Sequence, residues 1–280
     1  MTAEGSLEIR LAQLSSVHDV SANVELCLAL VARAVRDGID LLVFPESASS
    51  RTDGVGESPQ DEQLDGIFVR RLAESTCGTN LTVIAGVTET GLMGRPFNTL
   101  VALRDGELVS TYRKIHLYDA FDFRESDTVA AGDGTLSTFI VNGFSIGMLT
   151  CYDVRFPEVA RLLADKGVDV LVLPTSWVSG PLKEDHWETL CKARALENTC
   201  YLAAAGQTGG NRIGRSMIVG PDGVVRATAG IEEGTVSGTL SLDLLRSARH
   251  TMPVLKQRRF FVDPQATDVV STSDSQYSRS

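Results

Sequence analysis

The chain has 280 residues and 43% hydrophobic content, enough to bury a substantial core as one large domain or two small ones. Its net charge of −10, from 26 basic and 36 acidic residues, argues against nucleic acid or an anionic membrane surface as a main partner. The five cysteines (Cys27, Cys77, Cys151, Cys191, Cys200) and four histidines show neither CxxC nor metal-ligand spacing, which speaks against a disulfide framework or a zinc cluster.

Leu7 to Leu14 alternates like a strand. From Val20 to Arg36, the residues Val24, Cys27, Leu28, Val31 and Val35 fall on one helical face, and Gly38 ends that helix. Ile39–Phe44 is a short apolar run suited to a fully buried strand. Pro45 breaks it, and Glu46 follows at its carboxyl end, the edge where ligands gather in open α/β sheets. A glutamate after a strand is, by itself, more often a solvated loop residue. Leu81–Val87 reads as another buried strand, and Asp105-Gly106 as a hairpin. Beyond it Lys114 sits among aromatic and apolar neighbours, unlike a surface lysine, although a basic pair beside a strand is normally a solvated face. Asn142-Gly143 marks a second hairpin. Phe144–Thr150 is a buried-type strand ending on Cys151, and Phe156-Pro157-Glu158 starts a helix with Pro in its first turn. A thiol between a strand and a helix N-terminus is placed to act as a nucleophile, since the helix end favours a thiolate. The plain alternative is a buried structural cysteine.

Gly167–Ser176 (GVDVLVLPTS) repeats Gly38–Ser47 (GIDLLVFPES) without a gap. The echo predicts two βα halves related by a pseudo-twofold axis, their sheets packed face to face as an α-β-β-α sandwich. Glu46 and Thr175–Trp177 would then leave equivalent strand ends at a common cleft. The competing reading is ordinary punctuation between helix and strand. A helix from His186 to Asn198 presents Trp187, Leu190 and Ala193 on an apolar side. Asp222-Gly223 gives a third hairpin, and the last strand ends near Asp243. No linker composition interrupts the chain, so residues 1–266 are expected to form a single domain. The polar tail 267–280 is either disordered or laid across a partner subunit.

Three segments, FPES (44–47), YRKIHLYD (112–119) and CYDVRFPE (151–158), occur in an order and at separations that resemble the nitrilase superfamily of carbon–nitrogen hydrolases, most strongly its Nit-type amidase branch. His186-Trp187-Glu188 and Ala193–Asn198 match the family's helix after the substrate pocket. The resemblance runs from the first strand to the last. It implies the four-layer α-β-β-α sandwich and a catalytic triad of Glu46, Lys114 and Cys151. It also implies that Glu125 hydrogen-bonds the lysine, on a segment shorter than in animal members. Dimers formed by stacking helices are usual in the superfamily, so a homodimer is expected.

The chemistry implied is amide hydrolysis through a thioester. Glu46 would be the general base, its pKa raised by burial, while Lys114 and the backbone N–H of Tyr152 would face the oxyanion. No metal or organic cofactor is required. Tyr152-Asp153 after the nucleophile resembles amidases, whereas nitrilases commonly continue with Trp-Glu. In the segment 174–183, Trp177 could wall the pocket and Lys183 could pair with a substrate carboxylate, or be an exposed loop lysine. A small ω-amide of a dicarboxylic or keto acid, or deaminated glutathione, would fit such a cation. An N-carbamoyl amidohydrolase is the alternative enzyme, and a catalytically silent binding protein the alternative class. No apolar run approaches the roughly 18 residues of a membrane span. The first residues lack a signal-peptide pattern. With unpaired thiols, this makes a reducing cytoplasm the simplest setting.

Overall fold

Side-chain chemistry sets the element ends. The Asp19 carboxylate accepts from Ala22 N and caps a helix over Val20–Arg36, and Pro157 opens another as its first residue. The computed structural model describes residues 5–52, 59–91 and 94–263; the tail from Thr267 lies outside them. In chain order the elements are β1 (Ser6–Gln13), α1 (Val20–Arg36), β2 (Leu41–Val43), α2 (Ile67–Glu74), β3 (Thr82–Glu89), β4 (Phe97–Arg104) and β5 (Glu107–Arg113). A small hairpin, β6 (Asp119–Ala120) and β7 (Phe123–Arg124), leads to β8 (Thr138–Val141), β9 (Phe144–Met148), α3 (Pro157–Asp165), β10 (Val170–Thr175) and α4 (Lys183–Asn198). There follow β11 (Tyr201–Gly206), β12 (Met217–Val219), β13 (Val225–Thr228), β14 (Gly234–Ser241), α5 (Leu242–Thr251) and α6 (Val254–Gln257).

Two six-stranded sheets result, in the orders β14-β1-β2-β3-β4-β5 and β13-β12-β11-β10-β9-β8. Within each, three consecutive strands are parallel (β1, β2, β3 and β9, β10, β11) and the flanking pairs are antiparallel. Read from β14 and from β8, the two sheets have the same plan. The echo seen in the sequence is therefore a structural repeat, with Gly38–Ser47 on β2 and Gly167–Ser176 on its counterpart β10.

The cores give the layering. Inward-facing side chains of both sheets, such as Ile9, Leu11, Val43 and Ile84 from one and Ile146, Met148, Val172 and Ala203 from the other, meet in one cluster. Val24, Cys27, Val31 of α1 and Phe68, Leu72 of α2 cover the outer face of the first sheet. Val159 and Leu163 of α3 with Trp187 and Cys191 of α4 cover the second. That is the expected α-β-β-α sandwich.

The local differences have simple causes. Val35 faces solvent, and α1 instead buries Asn23 and Ala34, because its contact stripe lies one step round the helix. On α4 the buried face runs through Trp187, Cys191, Ala195 and Asn198, leaving Leu190 and Ala193 half-buried. The last strand stops at Ser241, whose hydroxyl caps α5 through Leu244 N, so Asp243 is helical. The Asp105-Gly106 and Asn142-Gly143 hairpins form with positive φ at both residues, as two-residue turns of this kind require. Among the described residues no helix is long and apolar enough to cross a membrane.

Candidate active site

The functional side chains converge because they sit at one edge of the two sheets. Glu46 leaves the carboxyl end of β2, Cys151 that of β9, and Ser176 and Trp177 that of β10, while Lys114 follows β5 directly. The loop bearing Glu46 lies so close to β3 that only glycine fits opposite it. A Cβ at Gly86 would be 2.6 Å from Glu46 Cα and 2.7 Å from the Pro45 carbonyl oxygen. Gly86→Ala should therefore push Glu46 off its mark and reduce kcat/KM by about 100-fold. Steady-state rates and a melting curve on the purified variant check this, the rate loss exceeding what any fall in Tm explains.

Around Lys114 the charges interlock. Its ammonium, almost fully buried, donates to Glu46 Oε1 at 3.0 Å and to Glu125 Oε2 at 2.8 Å. Glu125 thus reaches the lysine despite the short intervening segment, and it also accepts from Tyr118 N at 2.7 Å. Glu46 Oε2 accepts from Ser176 N at 2.6 Å. Asn98, at the start of β4, donates to Glu46 Oε1 at 2.7 Å and to Glu125 Oε1 at 3.3 Å. One carboxamide therefore bridges the two acids. Gln207 holds the backbone behind the site, donating to the Glu46 carbonyl at 3.0 Å and to Ser16 Oγ at 2.8 Å.

These partners reverse two expectations about titration. Burial does push the Glu46 carboxyl up, but the Lys114 charge and the hydrogen bonds from Lys114, Cys151 and Asn98 outweigh it and leave the group below its ordinary value. Burial would lower Lys114, yet the charges of Glu46 and Glu125 hold it well above its usual value. The Cys151 thiol is pushed up to about 12, by burial first and by the Glu46 charge second. The helix end expected to favour a thiolate does not start at the thiol: α3 begins at Pro157, and Cys151–Arg155 form a 3₁₀ turn. The resting pair is a carboxylate beside a neutral thiol.

Cys151 itself is strained, with φ of 45°, and Ser47 beside Glu46 has φ of 57°. Non-glycine residues in this region cost about 1–3 kcal/mol each and cluster at functional sites. Cys151, Tyr152, Trp177 and Lys183 line a single cavity together with Tyr118, Ser176 and Val178. The pocket candidates are thus brought together. Lys183 is no loop lysine: it opens α4, is 6% exposed, donates to Tyr118 Oη at 2.9 Å and lies 3.7 Å from the Phe121 ring centroid. Trp177 donates its indole N–H to the Lys183 carbonyl at 3.0 Å, which fixes both. Arg155 stacks over Trp177, 4.9 Å from its ring centroid.

The sequence gives no individual role to Asn98, Tyr118, Ser176 or Gln207, although Tyr118 lies in the 112–119 motif and Ser176 in the segment 174–183. Asn98 offers the one usable signal, a carboxamide at the mouth of an otherwise apolar strand. Ser176 acts through its main chain, which no residue type reveals. Among the described residues no cluster of three or more His, Cys, Asp and Glu gathers as metal ligands do.

The sandwich is that of the nitrilase superfamily, a class of hydrolytic enzymes. The family model described as carbon–nitrogen hydrolase matches residues 8–250, and the chain belongs to that family. It is 42% identical over 240 residues to the deaminated glutathione amidase of Escherichia coli O157:H7, covering 85% of this chain and 92% of that protein. Omega-amidase NIT2 of Homo sapiens is 32% identical over 267 residues, with 91% and 95% covered. Among solved structures, a CN-hydrolase superfamily protein from Xanthomonas campestris with an arsenic adduct in its active site superposes with a TM-score of 0.81. That match is 27% identical and covers 92% of this chain and 99% of the other.

Proposed function

We propose that the protein is a thiol-dependent amidase that hydrolyses a small linear amide bearing a carboxylate. One observation carries this: the Cys151 thiol lines a cavity together with a buried cation, Lys183, and is backed by a carboxylate, Glu46, that is paired with the Lys114 ammonium. Glu46 takes the proton from Cys151 Sγ as the sulfur attacks the amide carbon. Lys114 Nζ and the Tyr152 N–H face the oxygen that gains the negative charge. Glu46 then gives its proton to the departing nitrogen, the C–N bond breaks, and ammonia or an amine leaves a thioester on Cys151. Water, deprotonated by Glu46, attacks the thioester; the acid departs and the proton returns to sulfur. Glu125 orients Lys114, and Trp177 walls the pocket. The names of the relatives support an ω-amide or deaminated glutathione as substrate. Residues 1–266 act as one domain, and the enzyme works in a reducing cytoplasm as a homodimer.

The test is product release from an ω-amide of a keto dicarboxylic acid, deaminated glutathione, an N-carbamoyl amine and an aliphatic nitrile. Acid plus ammonia or amine from the first two supports the reading. Carbon dioxide from the carbamoyl compound, with both amides untouched, would replace it. Lys183→Ala should raise KM for an anionic amide by about 10–100-fold while leaving a neutral amide nearly unaffected. Equal effects on both amides would remove Lys183 from carboxylate recognition.

A further inference from the structure

Asp153 is a carboxylate with 1% exposure that faces four donors. Tyr112 Oη donates to its Oδ2 at 2.7 Å, and Thr150 N to the same oxygen at 3.0 Å. His116 N donates to Oδ1 at 3.0 Å, and His116 Nδ1 lies 2.8 Å from that oxygen. A carboxylate only accepts, so the proton of this last bond is on Nδ1.

The positions of these donors matter more than their number. Tyr112 and His116 stand two residues before and two after Lys114. Thr150 directly precedes Cys151, and Asp153 N returns a bond to the Thr150 carbonyl at 2.9 Å. The His116 ring also lies flat on Phe156, with centroids 3.7 Å apart and planes 7° from parallel. The lysine segment and the thiol turn follow strands of different sheets, and one short side chain ties both together. The Lys114 main chain is otherwise held by its own surroundings, its N–H donating to the Asn98 carbonyl and its carbonyl accepting from Gly132 N, and Tyr118 adds an edge-on ring contact with Tyr152 at 5.1 Å between centroids.

We propose that Asp153 is a positioning residue, a strut that fixes the oxyanion-facing ammonium of Lys114 relative to the strained Cys151. The idea rests on the roles given above to Lys114 and Cys151. A short side chain suits that role, because two oxygens on one rigid plane set the spacing of two loops. No donor can move without the other three registering it.

Asp153→Asn would place an amide against donors and could fail to fold, so the test uses the donor side. Variants Tyr112→Phe, His116→Ala and His116→Asn, the last retaining a donor nitrogen near the Nδ1 position, are compared with wild type. The readouts are kcat and KM for the amide and the second-order rate of Cys151 alkylation by iodoacetamide, with Tm as a control. Expected is a fall in kcat of about 10-fold for Tyr112→Phe and about 30-fold for His116→Ala, with KM within about twofold. Alkylation should slow in the same order, and His116→Asn should recover most of both rates. Folded Tyr112→Phe and His116→Ala proteins with wild-type kcat would overturn the strut, as would His116→Asn no better than His116→Ala in rate. Were the wild type to hydrolyse no amide, the amidase reading would fall, while alkylation rates across the same variants would still decide on the strut.

Discussion

Cys151→Ala should lower amide turnover by about 10⁴-fold or more, with little change in folding. In the proposed mechanism the Cys151 sulfur is the atom that bonds to the substrate, so its loss would remove the covalent route and leave only the surrounding polar groups. Little stability is at risk: the side chain is small, and its strained backbone is set by the turn from Thr150 to Asp153. Electrospray mass measurement after brief exposure to substrate offers a second readout, with an acyl adduct on wild type and none on the variant. Turnover persisting in Cys151→Ala would dismiss the thioester. The same pair of groups fixes the sign of the pH dependence. Glu46 must be ionised to accept the proton, and its pKa lies below the ordinary value of 4.5. The acidic limb of kcat/KM should accordingly fall below that value, and activity should be level through neutrality. The thiol, pushed up to about 12, adds no titration in the neutral range.

Lys114→Met should be the most damaging change to the molecule as a whole. The ammonium compensates Glu46 and Glu125 together, and its removal leaves two carboxylates facing each other in a dry setting. Breaking a buried pair from one side typically costs about 3–5 kcal/mol. The loss of an oxyanion donor adds a fall of about 10²–10³ in kcat. Chemical denaturation and steady-state rates measure the two effects separately. Their pH dependence should diverge from wild type. In the native protein the lowered Glu46 pKa contributes stability that is present above pH 4.5 and is lost as pH falls through the folded value. Without the lysine, burial is opposed only by the hydrogen bonds from Cys151 and Asn98 and the carboxyl moves up, so acidification should relieve the variant. Lys114→Arg should not restore the rate, because a planar fork cannot occupy the site of a compact ammonium. A variant as stable as wild type would show that the three charges are not coupled.

Much of this was legible in the chain. Glu46 and Cys151 announce themselves because an apolar run ends abruptly on a polar or reactive residue. The hairpins follow from Asp-Gly and Asn-Gly, and the repeat around Pro45 and Pro174 gives the symmetry of the sandwich. What escaped depends on distance across the fold. Asp153 is visible in the sequence only as the third letter of a motif, since its side-chain donors, His116 and Tyr112, lie 37 and 41 residues upstream. Asn98 meets Glu46 across 52 residues of chain. The direction of the Glu46 shift is not legible, because burial can be read from a hydrophobic run, whereas the cation and hydrogen bonds that outweigh it come from distant parts of the chain, Lys114 following β5.

The repeat has a consequence for how such a protein can change. Glu46 on the first half has Thr175 as its counterpart on the second, and the main-chain N–H of Ser176, one residue on, donates to the Glu46 carboxylate. The duplicated strand ends therefore no longer share a trade: one carries the buried carboxylate, the other supplies a main-chain clasp and the start of the pocket wall. Because the clasp is backbone, the side chains from 176 to 183 are free to vary without disarming the acid they help to hold. New substrate preferences can be sought there by mutagenesis, with the reactive centre left in place.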